Sequence, residues 1–310
     1  MAAGGDTIVP EIRNFVTFDV EDWHQSTFDF NLPITSRVVD GTARVLDMLG
    51  SRGIRGTFFV LGLVAEAHPS LVRRIQSAGH EVASHGQSHR PVYGLGAEGF
   101  RADLRRSLEA IQQATGERVL GYRAPDFSIS RDALWAMQVL ADAGITYDSS
   151  IFPFAGPRYG IAGAFREPYR VLCASGATLV EFPLPTVTHL GLRFPACGGG
   201  YFRLLPYAHS RHAVRCLNRR GMPATAYFHP YELDPEEIRS SPHRLPLGLR
   251  LTQGLGRSGV ARRLARLLDD FAWGPIGDVI PGAPALTGPR VLDLRQLSRS
   301  GPLWRDEAAS

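Results

Sequence analysis

Lysine is absent from this 310-residue chain, so all 34 basic residues are arginines. Without a side-chain amine there is no Schiff-base chemistry, no pyridoxal-phosphate site and no Walker phosphate loop. Cysteine is scarce. Cys173, Cys197 and Cys216 are an odd number without C-x-x-C spacing, which suggests neither a disulfide framework nor a thiolate zinc site and points to a reducing, cytoplasmic setting. Long apolar runs are also missing. The longest, Phe58 to Ala65, stops at Glu66, too short for a membrane span, and Met1 to Asn14 lacks the basic start and apolar core of a signal peptide.

What is present has the composition of a soluble globular protein, 44% hydrophobic and 21% charged, with enough chain for a sizeable core. The net charge of +4 is unevenly spread: Arg203 to Arg266 holds 12 arginines against 4 acids, which leaves the remainder acidic. That describes a local basic region and not a nucleic-acid-binding protein. Within it, Arg257 to Phe271 reads as a basic amphipathic helix. Val260, Leu264, Leu267 and Leu268 share one stripe, with Arg262, Arg263 and Arg266 beside or opposite it. Either the leucines pack and the arginines are solvated, or the arginines make a peripheral contact with an anionic inner-membrane surface.

Strand-like and helix-like segments alternate from the start. Asn14 to Val20, Gly56 to Gly62, His80 to Ser84, Val119 to Arg123 and Ile145 to Tyr147 read as strands. Between them Ser36 to Gly50, Pro69 to Ala78, Phe100 to Thr115 and Arg131 to Ala143 read as helices. Such alternation calls for a parallel sheet covered by helices, either open or closed into a barrel. The rhythm breaks between Phe152 and Tyr201, rich in Gly, Pro and aromatics, and returns with helix Pro206 to Arg220 and strand Thr225 to Phe228. From Gly274 onward a Pro- and Gly-rich segment reads as a loosely packed tail.

In such folds the chemistry lies at the carboxyl ends of the parallel strands, and five strand ends here carry ionisable residues. They are Asp19, Glu21 and Asp22 on the first, His85 and His89 on the third, Arg123 on the fourth, Asp148 on the fifth and His229 on the late strand. The His85-x-x-x-His89 spacing puts two imidazoles on one side of a helical turn, and with a carboxylate from the first strand it makes a two-histidine, one-carboxylate metal site conceivable. Three acids within four residues repel one another unless a cation or arginine sits among them, and Arg123 is the natural neutraliser. Alternation puts Glu21 on the face of Asp19, whereas a chain leaving the strand would aim Asp22 instead. Asp148 also reads as a turn cap, and His229 as a satisfied buried histidine.

In this order the motifs Thr17-Phe18-Asp19, Ser84-His85-Gly86-Gln87-Ser88-His89, Arg123-Ala124-Pro125, Asp148-Ser149-Ser150 and Phe228-His229 resemble those of the polysaccharide deacetylases of the NodB-homology type, carbohydrate esterase family four. The phrases FDVEDWHQ, GYRAPDFSIS, YDSSIFP, GGGYFR and FHPYELDP look closest to the subgroup associated with bacterial exopolysaccharide and PEP-CTERM (exosortase) loci.

The resemblance implies an α/β fold, a distorted (β/α)7 barrel over 14–235 with a loop-rich β insertion at about 152–205 and a C-terminal helical extension over 236–310. It implies a divalent metal, Zn2+ or Co2+-like, held by His85, His89 and either Glu21 or Asp22. Asp19 would be the general base kept ionised by Arg123, His229 the acid toward the leaving amine, and Asp148 its support. The substrate would be an N-acetylated glycan. A small-molecule C–N hydrolase on the same barrel, and an inactive carbohydrate-binding protein, are the rival readings.

Overall fold

The computed structural model describes residues 12–154, 156, 159–189, 191–282, 287–296 and 303–306. Its strands are β1 (Asn14–Val20), β2 (Thr57–Val60), β3 (Glu81–Ser84), β4 (Gly121–Tyr122), β5 (Tyr147–Asp148), β6 (Tyr169–Leu172), β7 (Thr178–Glu181), β8 (Thr186–His189), β9 (Leu192–Pro195), β10 (Thr225–Phe228), β11 (Trp273–Gly274), β12 (Arg290–Asp293) and β13 (Trp304–Asp306). The expected β1 and β10 have these same bounds. Every residue of β1, NFVTFDV, is buried, as expected for a β-branched and aromatic strand in a parallel sheet covered on both faces.

The main sheet runs β10-β1-β2-β3-β4-β5-β7-β6-β12-β13, parallel from β10 through β7. Its register aligns the strand ends. Val20 pairs with Val60, Val60 with Ser84, Ser84 with Tyr122, Tyr122 with Asp148 and Asp148 with Glu181, so Glu21, His85, Arg123 and Ser149 emerge just beyond one continuous row. Phe18 pairs with Phe228, which places His229 beside Asp19.

The expected barrel does not close among the described residues. Pairing of β10 with β7 would complete it, but the free edge of β7 is taken by antiparallel β6. The gap holds only a strap, in which Ala196 donates to the Pro185 carbonyl and Tyr227 donates to the Cys197 carbonyl, both at 3.0 Å. The 152–205 excursion feeds the sheet through β6 and β7, and the segment beyond Gly274 is not a loose tail. β12 pairs with β6 and β13 with β12, Ile276 and Leu292 are buried, and the Gly277 amide donates to Glu81 at 2.8 Å.

The covering helices are α1 (Arg37–Gly50), α2 (Gly62–Ala67), α3 (Pro69–Ser77), α4 (Val92–Thr115), α5 (Trp135–Asp142), α6 (Gly199–Leu204), α7 (Tyr207–Asn218), α8 (Leu247–Gly254) and α9 (Val260–Asp270). α4 begins well before the expected Phe100, bending at Gly96 (φ 67°). Its first turn is held from a distance, where the Val92 amide donates to Ser128 Oγ at 2.9 Å, a cap invisible to local sequence. On α9 the expected stripe Val260, Leu264, Leu267 and Leu268 is buried. Arg263 donates to the Phe202 and Leu205 carbonyls and Arg266 lies over the Tyr207 ring, so two of its arginines also rest on neighbouring elements. Losing a side chain such as Leu264 costs about 2–5 kcal/mol.

Candidate active site

Beyond the aligned row, one cavity of about 340 Å3 opens at the carboxyl ends of the strands. Asp19, Glu21, His85, His89 and His229 line it together. Glu21 leaves β1 on the Asp19 face, and its Oε2 lies 2.6 Å from His89 Nε2 and 3.4 Å from His85 Nε2. One ligand atom from each of the three residues lies within 4.8 Å of the others, and all three are buried. Burial opposes the Glu21 charge, but the two imidazoles outweigh it and hold the carboxyl well below its ordinary range.

The residues fit a divalent cation. A carbonyl only accepts, so the 2.9 Å contact of His85 Nδ1 with the Arg123 carbonyl puts the proton on Nδ1 and leaves the Nε2 lone pair facing Glu21. Glu21 Oε2 is buried, and although His89 Nε2 is close, no hydrogen bond of proper direction reaches it. Three buried ligand atoms therefore converge on one point, where, although burial opposes it, Glu21 draws the His89 imidazole above its ordinary pKa, and a cation would take the place of the proton held there.

The histidine pair does not sit on the expected helical turn. After β3 the chain is irregular through Pro91, with Gly86 at φ 77° and His89 itself at φ 61°. Asp126 and Phe127, which also line the cavity, have φ of 54° and 50°. A left-handed non-glycine residue costs of order 1 kcal/mol and persists where its surroundings over-determine it. Among the described residues only Cys197 joins these three in that region, so backbone strain gathers at this cavity.

Arg123 is fully buried, and all three of its nitrogens donate hydrogen bonds. Nη1 donates to Asp19 Oδ1 at 2.8 Å and Thr17 Oγ1 at 2.7 Å, Nε to the Ser149 carbonyl at 3.0 Å, and Nη2 to Ser149 Oγ at 2.8 Å. Its guanidinium carbon lies 4.2 Å from the Phe59 ring centroid. This is a bidentate-capable fork locked in place, and a lysine could not reproduce it. The free oxygen of Asp19, Oδ2, lies 3.9 Å from His229 Nε2.

His229 meets Glu232, not Asp148. Its Nδ1 is 3.2 Å from Glu232 Oε2, which also accepts the His229 amide at 3.1 Å, and its ring stacks on Tyr231. Burial pulls the imidazole pKa down, but Glu232, Glu21 and Asp19 outweigh it and bring it to about 9. Nε2–H of an imidazolium therefore faces the cavity between Asp19 and Glu21. The sequence reading missed Glu232, although its signal was present: a carboxylate three residues after the histidine, across a proline that starts a helical turn.

Two other expected residues are placed apart from the ligand cluster. Asp22 turns away, Oδ2 accepting from Thr35 N at 2.7 Å and Thr35 Oγ1 at 2.5 Å, and Oδ1 from His24 N at 3.0 Å. Asp148 accepts from Ser150 Oγ at 2.7 Å and shares a hydrogen bond with Glu181, and burial raises its carboxyl to about 6. Ser150 Oγ in turn accepts the Ala124 amide at 2.8 Å, so Asp148 braces the loop after Arg123.

Comparison with known proteins divides the chain near Asp148. Residues 16–147 match the Polysaccharide deacetylase family model, and residues 149–281 match a Domain of unknown function (DUF3473). A chitooligosaccharide deacetylase of Rhizobium leguminosarum bv. trifolii is 32% identical over 100 residues, 32% of this chain and 44% of that protein. The chain thus spans less than half the length of this curated relative. A Mycobacterium smegmatis structure named as a polysaccharide deacetylase aligns with TM-score 0.58 and 24% identity over 89% of this chain and 92% of its own. The Puue allantoinase structure aligns with TM-score 0.59 and 16% identity over 87% and 89%. These two likenesses are of fold.

Proposed function

We propose, from the match of residues 16–147 to the Polysaccharide deacetylase family model, that this chain hydrolyses the N-acetyl group of an N-acetylhexosamine-containing glycan. Acetate and a free amine are the products. The observation that carries the reading is the meeting of Glu21, His85 and His89 with Asp19 and His229 in one cavity. Exopolysaccharide assembly is the setting that the subgroup resemblance favours, and Zn2+ the metal.

Glu21, His85 and His89 would hold the cation, which when bound polarises the acetamide carbonyl and acidifies water. Asp19 accepts the proton of the attacking water through Oδ2, while Arg123 binds Oδ1 and fixes the carboxylate. His229 donates from Nε2 to the departing amine, and Glu232 fixes its tautomer and direction. Phe127, Tyr159, Tyr227 and Tyr231 wall the cavity with rings on which sugar faces can pack.

The test is acetate release from a panel of N-acetylated oligosaccharides, with chelator and metal add-back. Release that chelator abolishes and metal restores is expected. Turnover of small amides but of no glycan would favour the small-molecule hydrolase suggested by the fold likeness, and glycan binding without turnover would favour a binding protein.

A further inference from the structure

Where α9 buries its apolar stripe, α8 buries none of its residues. Leu247, Leu251 and Leu255 follow one another at i, i+4 spacing and are 70%, 63% and 65% exposed. Just beyond the helix, Gly256 packs on the Arg203 carbonyl, and Leu204, the next residue after Arg203, is 54% exposed. Single exposed leucines are ordinary, but a contiguous apolar stripe marks an interaction surface. No described residue covers it.

We propose that this stripe docks on an anionic lipid bilayer and seats the catalytic cavity at the membrane surface. Charge selects the occupant. From Ile238 to Leu268 the sequence has seven arginines and no acid. Of these, Arg244 and Arg250 are exposed and form no ion pair among the described residues, and Arg250 stands on α8 itself. Two copies meeting through this face would press like charges together, with no acid in the segment to relieve them. A bilayer carrying anionic headgroups accepts leucines into its apolar boundary and neutralises arginines at its surface, the combination that peripheral helices use. Among the described residues no helix is long and apolar enough to cross a membrane, and the docking proposed here is a peripheral one.

The helix is fixed from beneath. Arg203 donates to the Thr252 carbonyl at 3.0 Å and Arg257 to the Gln253 carbonyl at 2.7 Å, both from buried side chains. Leu249 and Gln253 of the same helix line the catalytic cavity. Docking through Leu247, Leu251 and Leu255, on the opposite side of this helix, therefore brings a wall of the cavity to the lipid surface. The docking is independent of which bond the cavity cleaves, and its test reads binding without substrate.

The whole chain is sedimented with vesicles of phosphatidylcholine, alone or mixed with phosphatidylglycerol, at about 0.1 M and 0.5 M salt. Binding to the mixed vesicles at least tenfold tighter than to phosphatidylcholine, and weakened at the higher salt, is expected. The triple variant Leu247→Gln, Leu251→Gln, Leu255→Gln should bind at least tenfold more weakly with an unchanged melting temperature. The pair Arg244→Gln, Arg250→Gln should lose the preference for the anionic lipid. Equal, weak binding of the native chain to both vesicle types would overturn the proposal. So would a lipid-free dimer that the leucine variant abolishes, since the occupant would then be a second copy.

Discussion

Glu21 and Glu181 are the same residue type, both fully buried, at the ends of strands of one sheet, yet they hold their protons oppositely. Glu21 is kept well below the ordinary carboxylate range because two imidazoles converge on it. Glu181 is driven well above that range by burial and by the adjacent Asp148, whose own carboxyl is raised to about 6. Burial alone favours the neutral acid, so a nearby partner decides the outcome. β1 therefore ends in a carboxylate ready for a cation, and β7 ends in a proton-sharing brace. Arg123 stands between the two, bound to Asp19 and to the loop after Asp148.

The largest expected effect breaks the first half of this comparison. Glu21→Gln should lose metal affinity by more than the roughly 100-fold that removing a supporting hydrogen bond to a ligand costs, read by metal titration of the folded variant. Asp22→Asn should keep the metal and lose only about 1–2 kcal/mol of stability, since its carboxylate serves Thr35 and His24. The reverse order would move the ligand role to Asp22.

Asp19→Asn should retain the metal and lower kcat by roughly 10²- to 10⁴-fold, the range for a positioned general base. A variant with native turnover would remove Asp19 from the reaction. For Glu232→Gln we expect a drop of roughly 10- to 100-fold in kcat with KM nearly unchanged, because the amide holds the His229 ring less firmly without leaving the fold. A change confined to KM would make Glu232 a substrate contact instead.

The smallest effect concerns the brace. A carboxyl raised on folding contributes stability that is full below its unfolded pKa, near 4, and is lost as pH rises through its folded value, here about 6 for Asp148. The native chain should therefore lose on the order of 2 kcal/mol between those values, and Asp148→Asn should flatten that slope in denaturant unfolding at pH 4, 5, 6 and 7. An equally steep slope in the variant would assign the pH dependence to other groups.

The sequence by itself determined the parallel alternation, the bounds of β1 and β10, and the strand ends at which Asp19, Glu21, His85, His89, Arg123 and His229 stand. These are local matters: β-branched runs, helical periodicity, and residues placed just after a strand. The buried stripe of α9 was legible in the same way, because its period was complete within one helix. Tertiary structure alone decided the rest. Whether the sheet closes depends on which strand takes the free edge of β7, and β6 comes from the Gly-, Pro- and aromatic-rich excursion, where no strand–helix rhythm says which edge it joins. The choice of Glu21 over Asp22 depends on Thr35 waiting for Asp22, and the partner of His229 depends on a turn that brings Glu232 back beneath it. The protonation of Asp148 depends on Glu181, 33 residues later, and is set by the parallel register that pairs them. Such choices are made by groups distant in sequence competing for the same edge, donor or proton, and that competition exists only once the chain has folded.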